Sequence, residues 1–172
     1  MVGSALLRVL KMMGYRNIVL RSHKQLDLTD QSATQKLFQD EKPEVVILAA
    51  AKVGGIYANS LSPADFLFTN LAIQNNVIEA SLKGGVKTLL FLGSSCIYPR
   101  DCPQPIKEEY LLTGPLEVTN EAYAIAKIAG LKSCQAYRRK YGCHFISAMP
   151  QNPDRPGDKC RSATPHGRPR FV

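Results

Sequence analysis

The sequence predicts an α/β domain built on a doubly wound parallel sheet. Three continuous apolar runs, residues 45–51, 88–92 and 144–149, read as strands buried on both faces. Longer segments of helical periodicity separate them, and glycine or proline punctuates nearly every junction. Strand–helix alternation of this kind implies right-handed crossovers in one parallel sheet.

Residues 5–13 place Leu6, Leu7, Val9, Leu10 and Met13 at helical spacing, and Gly14 closes that helix. Residues 17–21 form a short apolar strand. Residues 27–30 lead into a helix over 31–41, with Thr29 or Asp30 as its cap and Pro43 as its stop. The strand at 45–51 runs into a loop, Lys52-Val53-Gly54-Gly55. Pro63 opens a long helix to about Leu82, whose inner face is read as Phe66, Leu67, Leu71, Val77, Ile78 and Leu82; Gly84 and Gly85 end it. The strand at 88–92 follows, then a proline-rich loop over 100–119. A helix over 121–141 and a last strand at 144–149 complete the pattern.

The ends depart from it. A dinucleotide-binding sheet starts with a strand, a glycine turn and then a helix, whereas this sequence opens on the helix. The first strand is central in that topology, so a gap in the sheet is expected. Residues 151–172 hold four of the eleven prolines and no periodicity, and are expected to form a divergent, disordered tail after a domain over 1–150. The break after Pro150 resembles a shifted frame or an alternative end. The chain alone is therefore expected to show little or no reductase activity.

The 172 residues carry 22 Lys and Arg against 14 Asp and Glu, a net charge of +8. Residues 151–172 hold five Lys and Arg against two Asp, so +3 of the excess sits there; the rest is spread along the chain with no nucleic-acid motif, and an anionic small molecule is the expected partner. The five cysteines form no Cys-x-x-Cys pair, which argues against a zinc site or a disulfide framework. No apolar run approaches the ~20 residues of a membrane span, and the start lacks a signal-peptide pattern. A cytoplasmic location is expected.

The strongest chemical signal is Tyr123-Ala-Ile-Ala-Lys127. Residues four apart share a helix face, and a cation beside a phenol lowers the phenol's pKa. Ser94 lies 29 residues earlier, just past a buried strand, at the sheet edge where such folds bind ligands. After residue 20 comes Arg21-Ser22-His23-Lys24, with no acid at the tip. Basic residues there suit a 2′-phosphate, so NADP(H) is preferred over NAD.

These residues resemble the extended short-chain dehydrogenase/reductase family. Three stretches carry the likeness: Ala49-Ala-Ala-Lys-Val-Gly-Gly55, Phe91-Leu-Gly-Ser-Ser-Cys-Ile-Tyr-Pro99 and Asn120-Glu-Ala-Tyr-Ala-Ile-Ala-Lys-Ile-Ala-Gly130. They are most similar to the branch that epimerises and reduces GDP-4-keto-6-deoxy-D-mannose with NADPH. The resemblance implies a partial Rossmann-like domain without its first strand or the C-terminal substrate domain. It implies that Tyr123 protonates the C4 oxygen, Lys127 binds the nicotinamide ribose, Ser94 bonds the C4 oxygen, and Cys96 acts as acid and base at C3 and C5. It further implies cofactor contacts at Gly3, Arg21, Asp27, Leu28, Ala50, Leu92, Gly93, Ser94, Lys127, Pro150 and Asn152, no metal, and a homodimer through the two long helices. His166 falls where the family carries a catalytic histidine, but its Thr-Pro-His-Gly setting marks the match as accidental. Two other readings stay open: a different NDP-sugar epimerase or dehydratase, and a non-catalytic product that pairs with a full-length subunit.

Overall fold

The computed structural model describes residues 2–150. The expectations for Asn152, His166 and the tail over 151–172 lie outside the described residues.

Three parallel strands, β1 (Val45–Leu48), β2 (Thr88–Leu92) and β3 (His144–Ala148), form one sheet in the order β1-β2-β3. The register pairs Val45 with Thr88 and Thr88 with His144, so the three C-terminal ends finish together. The helices are α1 (Val2–Met12), α2 (Gln31–Glu41), α3 (Ile56–Leu61), α4 (Pro63–Lys83) and α5 (Glu121–Tyr141). Both crossovers, through α4 and through α5, advance the same way along the sheet. Right-handed connections then set the two helices on one face, where they pack against each other.

Local chemistry accounts for the helix ends. Asp30 caps α2, its Oδ1 accepting from the Ala33 amide at 2.9 Å. Lys42 leaves α2 in the left-handed region at φ 44°, immediately before Pro43. Pro63 sits in the first turn of α4, where its missing N–H costs nothing. Gly142 ends α5 at φ 68°, a conformation glycine adopts without strain.

The core lies between the sheet and its helices. Phe38, Leu48, Val77, Ile78, Val86, Leu89, Phe91, Cys134 and Phe145 fill it. A second cluster, Ile97, Tyr98, Ile128 and Leu131 with Ile106, Tyr110, Leu116 and Met149 packed on it, fastens the proline-rich loop to α5. Gly130 lets α5 approach the sheet. A Cβ there would fall on the Phe91 ring and come within 2.7 Å of Gln74 Oε1.

Three expectations change. Residues 17–21 do not form a strand, and all but Ile18 are exposed. A strand needs a neighbour to satisfy its backbone, and no described strand lies beside this segment. The outer edge of β1 is likewise unpaired among the described residues, and Val45 on it is 60% exposed. Second, α3 forms over 56–61, between the loop at 52–55 and Pro63, where the sequence suggested no element. Asn59 fixes it, its Nδ2 donating to the carbonyls of Gly54 at 3.0 Å and Gly55 at 3.1 Å. Third, the inner face of α4 is not purely apolar. Phe66, Val77 and Ile78 are buried as expected, but so are Asn70, Gln74 and Ser81, while Leu67, Leu71 and Leu82 are only partly covered.

Candidate functional site

The site forms where β2 ends. Beyond Leu92 the chain passes Gly93 and Ser94 in extended backbone, then turns through a short 3-10 segment, Ser95–Ile97. That turn puts Cys96 back over Ser94, with Cys96 Sγ donating to Ser94 Oγ at 3.3 Å. Gly93 is buried, and its N–H donates to Ala148 O at 2.8 Å. A Cβ at Gly93 would collide with the Met149 side chain, 2.6 Å from its Cε. The glycine therefore lets the ends of β2 and β3 close together.

Helix α5 supplies the other half. Tyr123 lies in its first turn and Lys127 one turn later, on the same face. Lys127 is 5% exposed, an unusual place for a cation. Its Nζ donates to Leu92 O at 2.9 Å and lies 4.9 Å from the Phe91 ring centre and 5.7 Å from that of Tyr123. Backbone carbonyl, aromatic faces and ammonium compensate one another around a side chain that is almost wholly removed from water.

Burial governs the electrostatics. It lowers Lys127 to about 8, with the nearby Cys96 opposing. It raises the Cys96 thiol, against the Ser94 hydrogen bond and the Lys127 charge. The Tyr123 phenol is pushed up to about 12 by burial and then by Cys96, while the Ser94 hydroxyl facing it pulls the other way. The spacing alone predicts that Lys127 lowers the phenol. Instead the ammonium is turned to Leu92 O, and loss of solvent outweighs any attraction it offers a phenolate.

Ser94, Cys96, Tyr123, Lys127, Leu92 and Gly93 thus come together. Gly3, in the first turn of α1, approaches the end of β1: a Cβ on it would sit 3.7 Å from Ala49 Cβ, next to the exposed Ala50. Pro150 follows β3 and is half-buried. Asp27 is occupied locally, its Oδ1 accepting from the Thr29 amide at 2.9 Å and the Thr29 hydroxyl at 2.8 Å, and those bonds hold its carboxyl below the usual range. Arg21 is drawn toward α2, bonding Leu20 O at 2.9 Å and pairing with Glu41. His23 and Lys24 stay exposed beside it. Among the described residues no group of three or more His, Cys, Asp or Glu could hold a metal, and no helix is long and apolar enough to cross a membrane.

Sequence reasoning missed the amides of α4. Asn70 Oδ1 accepts from the Lys52 amide at 2.9 Å, and Asn70 Nδ2 donates to Lys52 O and Phe66 O at 3.0 and 2.8 Å. Gln74 Nε2 donates to Ala126 O at 2.8 Å. Asn76 Nδ2 donates to Leu28 O and Thr29 O at 2.9 and 3.0 Å. One helix thereby grips the loop after β1, the first turns of α5 and the segment of Leu28 and Thr29. The signal was present in the spacing Phe66, Asn70, Gln74, Val77, Ser81, which follows one helical stripe.

A parallel sheet with a serine past its central strand, and a buried lysine one turn after a tyrosine, is the arrangement of a short-chain dehydrogenase/reductase domain. The chain belongs to the NAD dependent epimerase/dehydratase family, whose profile matches residues 1–167. It is 57% identical over 173 residues to the probable GDP-L-fucose synthase 1 of Oryza sativa subsp. japonica, covering 100% of this chain and 53% of that protein. It is 56% identical over 172 residues to GDP-L-fucose synthase 1 of Arabidopsis thaliana, again covering 100% of this chain and 53% of the relative. Among solved structures, MlghC, the GDP-mannoheptose C4 reductase from Campylobacter jejuni with NADP bound, superposes with a TM-score of 0.84. It is 44% identical, over 87% of this chain and 48% of that one. The chain spans about half the length of the curated relatives it matches.

Proposed function

We propose that this chain carries the cofactor-binding and proton-handling half of an NADPH-dependent epimerase/reductase that converts GDP-4-keto-6-deoxy-D-mannose to GDP-L-fucose. The observation that carries this is the buried Lys127, bonded to Leu92 O one helical turn from Tyr123 and beside the Ser94–Cys96 pair. Identity of 57% to a probable GDP-L-fucose synthase favours this substrate over the heptose of the 44% identical reductase.

The donor set fits the dinucleotide. The first turn of α1 at Gly3 offers free N–H groups to a pyrophosphate beside the end of β1. Lys127 offers N–H donors to ribose hydroxyls, and Asn76 holds Leu28 and Thr29, with Asp27 bonded in turn to Thr29, for the adenine end. Arg21, His23 and Lys24 supply the basic corner for a 2′-phosphate, with Arg21 partly committed to Glu41. When bound, NADPH supplies the hydride that adds to C4. Pro150, Gly93 and Ala50 would border that cofactor, and Asn152 is assigned there by resemblance.

Each protein group then has a task that its protonation state permits. The phenol of Tyr123, pushed up to about 12, holds its proton at neutrality and can give it to the oxygen forming at C4. An alkoxide is the stronger base, so that transfer runs downhill. Ser94 hydrogen-bonds the same oxygen. Cys96 exchanges protons at C3 and C5, which the neighbouring ketone acidifies; Ser94 and Lys127 favour its thiolate against burial. We place the assembly in the cytoplasm, as a homodimer joined through α4 and α5; Phe68 on α4 is 73% exposed.

The test is substrate-dependent NADPH oxidation by a protein carrying this chain at its relatives' length, with deuterium uptake at C3 and C5 followed in parallel. Tyr123→Phe should lose reduction yet keep exchange. Reduction that survives Tyr123→Phe would sink the assignment.

A further inference from the structure

We infer that Gln74 is a positioning residue, one that fixes the height of α5 over the sheet and so the place of the Lys127 ammonium. The inference deepens the functional reading above and rests on it for its purpose, though its test does not use turnover.

Gln74 is 2% exposed and lies midway along α4. Its Nε2 reaches across to Ala126 O, the carbonyl of the residue immediately before Lys127, at 2.8 Å. Inside a helix that carbonyl already accepts from the amide four residues on. A carbonyl has a second lone pair, and Gln74 takes it. The opening that admits the amide comes from Gly130, since a Cβ at that position would stand 2.7 Å from Gln74 Oε1. The same opening admits the Phe91 ring, over which the Lys127 ammonium rests. Helix α5 is therefore held from two directions around one residue. Gln74 holds its backbone from α4, and Leu92 O holds the Lys127 side chain from β2.

Packing alone does not call for an amide here. An apolar side chain of similar length would fill the space without desolvating an amide, and Ala126 O would keep its bond inside the helix. What the amide adds is direction. A hydrogen bond of 2.8 Å tolerates little sliding of α5, whereas apolar surfaces tolerate more. The charged and titratable groups around the Lys127 ammonium are Cys96 and Tyr123. Neither belongs to α4, so Gln74 acts on Lys127 only through the helix backbone.

The experiment follows the Lys127 side chain by its 13Cε chemical shift in 13C-lysine-labelled protein, assigned by the peak lost in Lys127→Arg. Gln74→Met and Gln74→Leu keep the apolar bulk and remove the amide. Val77→Ala, on the same buried face of α4, is the control for loss of packing, and the urea midpoint of each variant is measured alongside. We expect either Gln74 variant to raise the Lys127 midpoint toward the ordinary lysine value, with at least a threefold gain in proton affinity. Val77→Ala should lower the urea midpoint and leave the Lys127 titration in place. An unmoved Lys127 in the Gln74 variants, or an equal shift in Val77→Ala, overturns the inference. So does the loss of fold in both Gln74 variants while Val77→Ala stays folded, since the amide would then serve stability alone. If a protein carrying this chain at its relatives' length proves inactive on the sugar nucleotide, the functional reading fails and this result still stands or falls by itself.

Discussion

The ammonium of Lys127 donates to the carbonyl of Leu92 at 2.9 Å, joining the helix that carries Tyr123 to the strand that carries Ser94. This bond crosses the two halves of the site, and it sets a charged group where solvent is nearly absent. Its consequences can be measured without any ligand.

The first concerns stability against pH. Lys127 titrates near 8 in the fold and near 10.4 in an unfolded chain. Between those values the unfolded chain binds the extra proton, so this group's contribution to stability rises with pH across that window. Below pH 8 the buried charge is a standing cost, and above about 10.4 the cost is gone. Lys127→Met should therefore gain on the wild type most at pH 7, and the gain should shrink by pH 10. Urea midpoints of both proteins at pH 7, 8.5 and 10 check this; a difference that stays constant refutes it.

Tyr123 should ionise late. Ultraviolet titration at 295 nm, compared between wild type and Tyr123→Phe, should show the missing step near pH 12. A missing step at or below 10, the ordinary phenol value, would mean that Lys127 does lower the phenol.

Gly130→Ala reverses a familiar rule. In an open helix the change stabilises by about 1 kcal/mol. Here the new methyl meets the Phe91 ring and Gln74 Oε1, and overpacking of that kind costs about 1–3 kcal/mol. A net loss of about 1 kcal/mol in a denaturation series is expected, and a gain in stability contradicts the close approach of α5.

Asn70→Ala removes three hydrogen bonds, two of them to Lys52. The loss should be about 2–3 kcal/mol, because three bonds go together and the half-buried Lys52 amide is left without its acceptor. It should also show as faster proteolysis between Lys52 and Gly55. Cleavage no faster than in wild type would show that the loop is held by other contacts.

Periodicity and punctuation located most of this fold from the residues. The run at 88–92 and the helices at 31–41 and 121–141 stand where the sequence placed them, and the last strand, read over 144–149, ends one residue sooner at Ala148. They did so because each sits against partners that agree with its local preference. Residues 17–21 have the composition of a strand but no described partner, and composition cannot supply one. Asn70, Gln74 and Asn76 escaped notice because hydropathy treats an amide as a surface group, whereas these three donate to carbonyls 18, 52 and 48 residues away in sequence. In the site, Ser94, Cys96, Tyr123 and Lys127 were legible as a motif. The sign of the phenol shift was not, because it depends on how much water the folded chain removes, and spacing does not record that.

The grip of α4 on three separate segments has a consequence for how this chain can vary. A residue inserted between Asn70 and Gln74 would turn the rest of the helix by about 100°. Asn70 would still hold Lys52, but Gln74 and Asn76 would face away from the backbones they now clasp. Gain or loss of a single codon here is thus forbidden even where ordinary substitution is tolerated, and the length of this helix should be the least negotiable dimension of the domain.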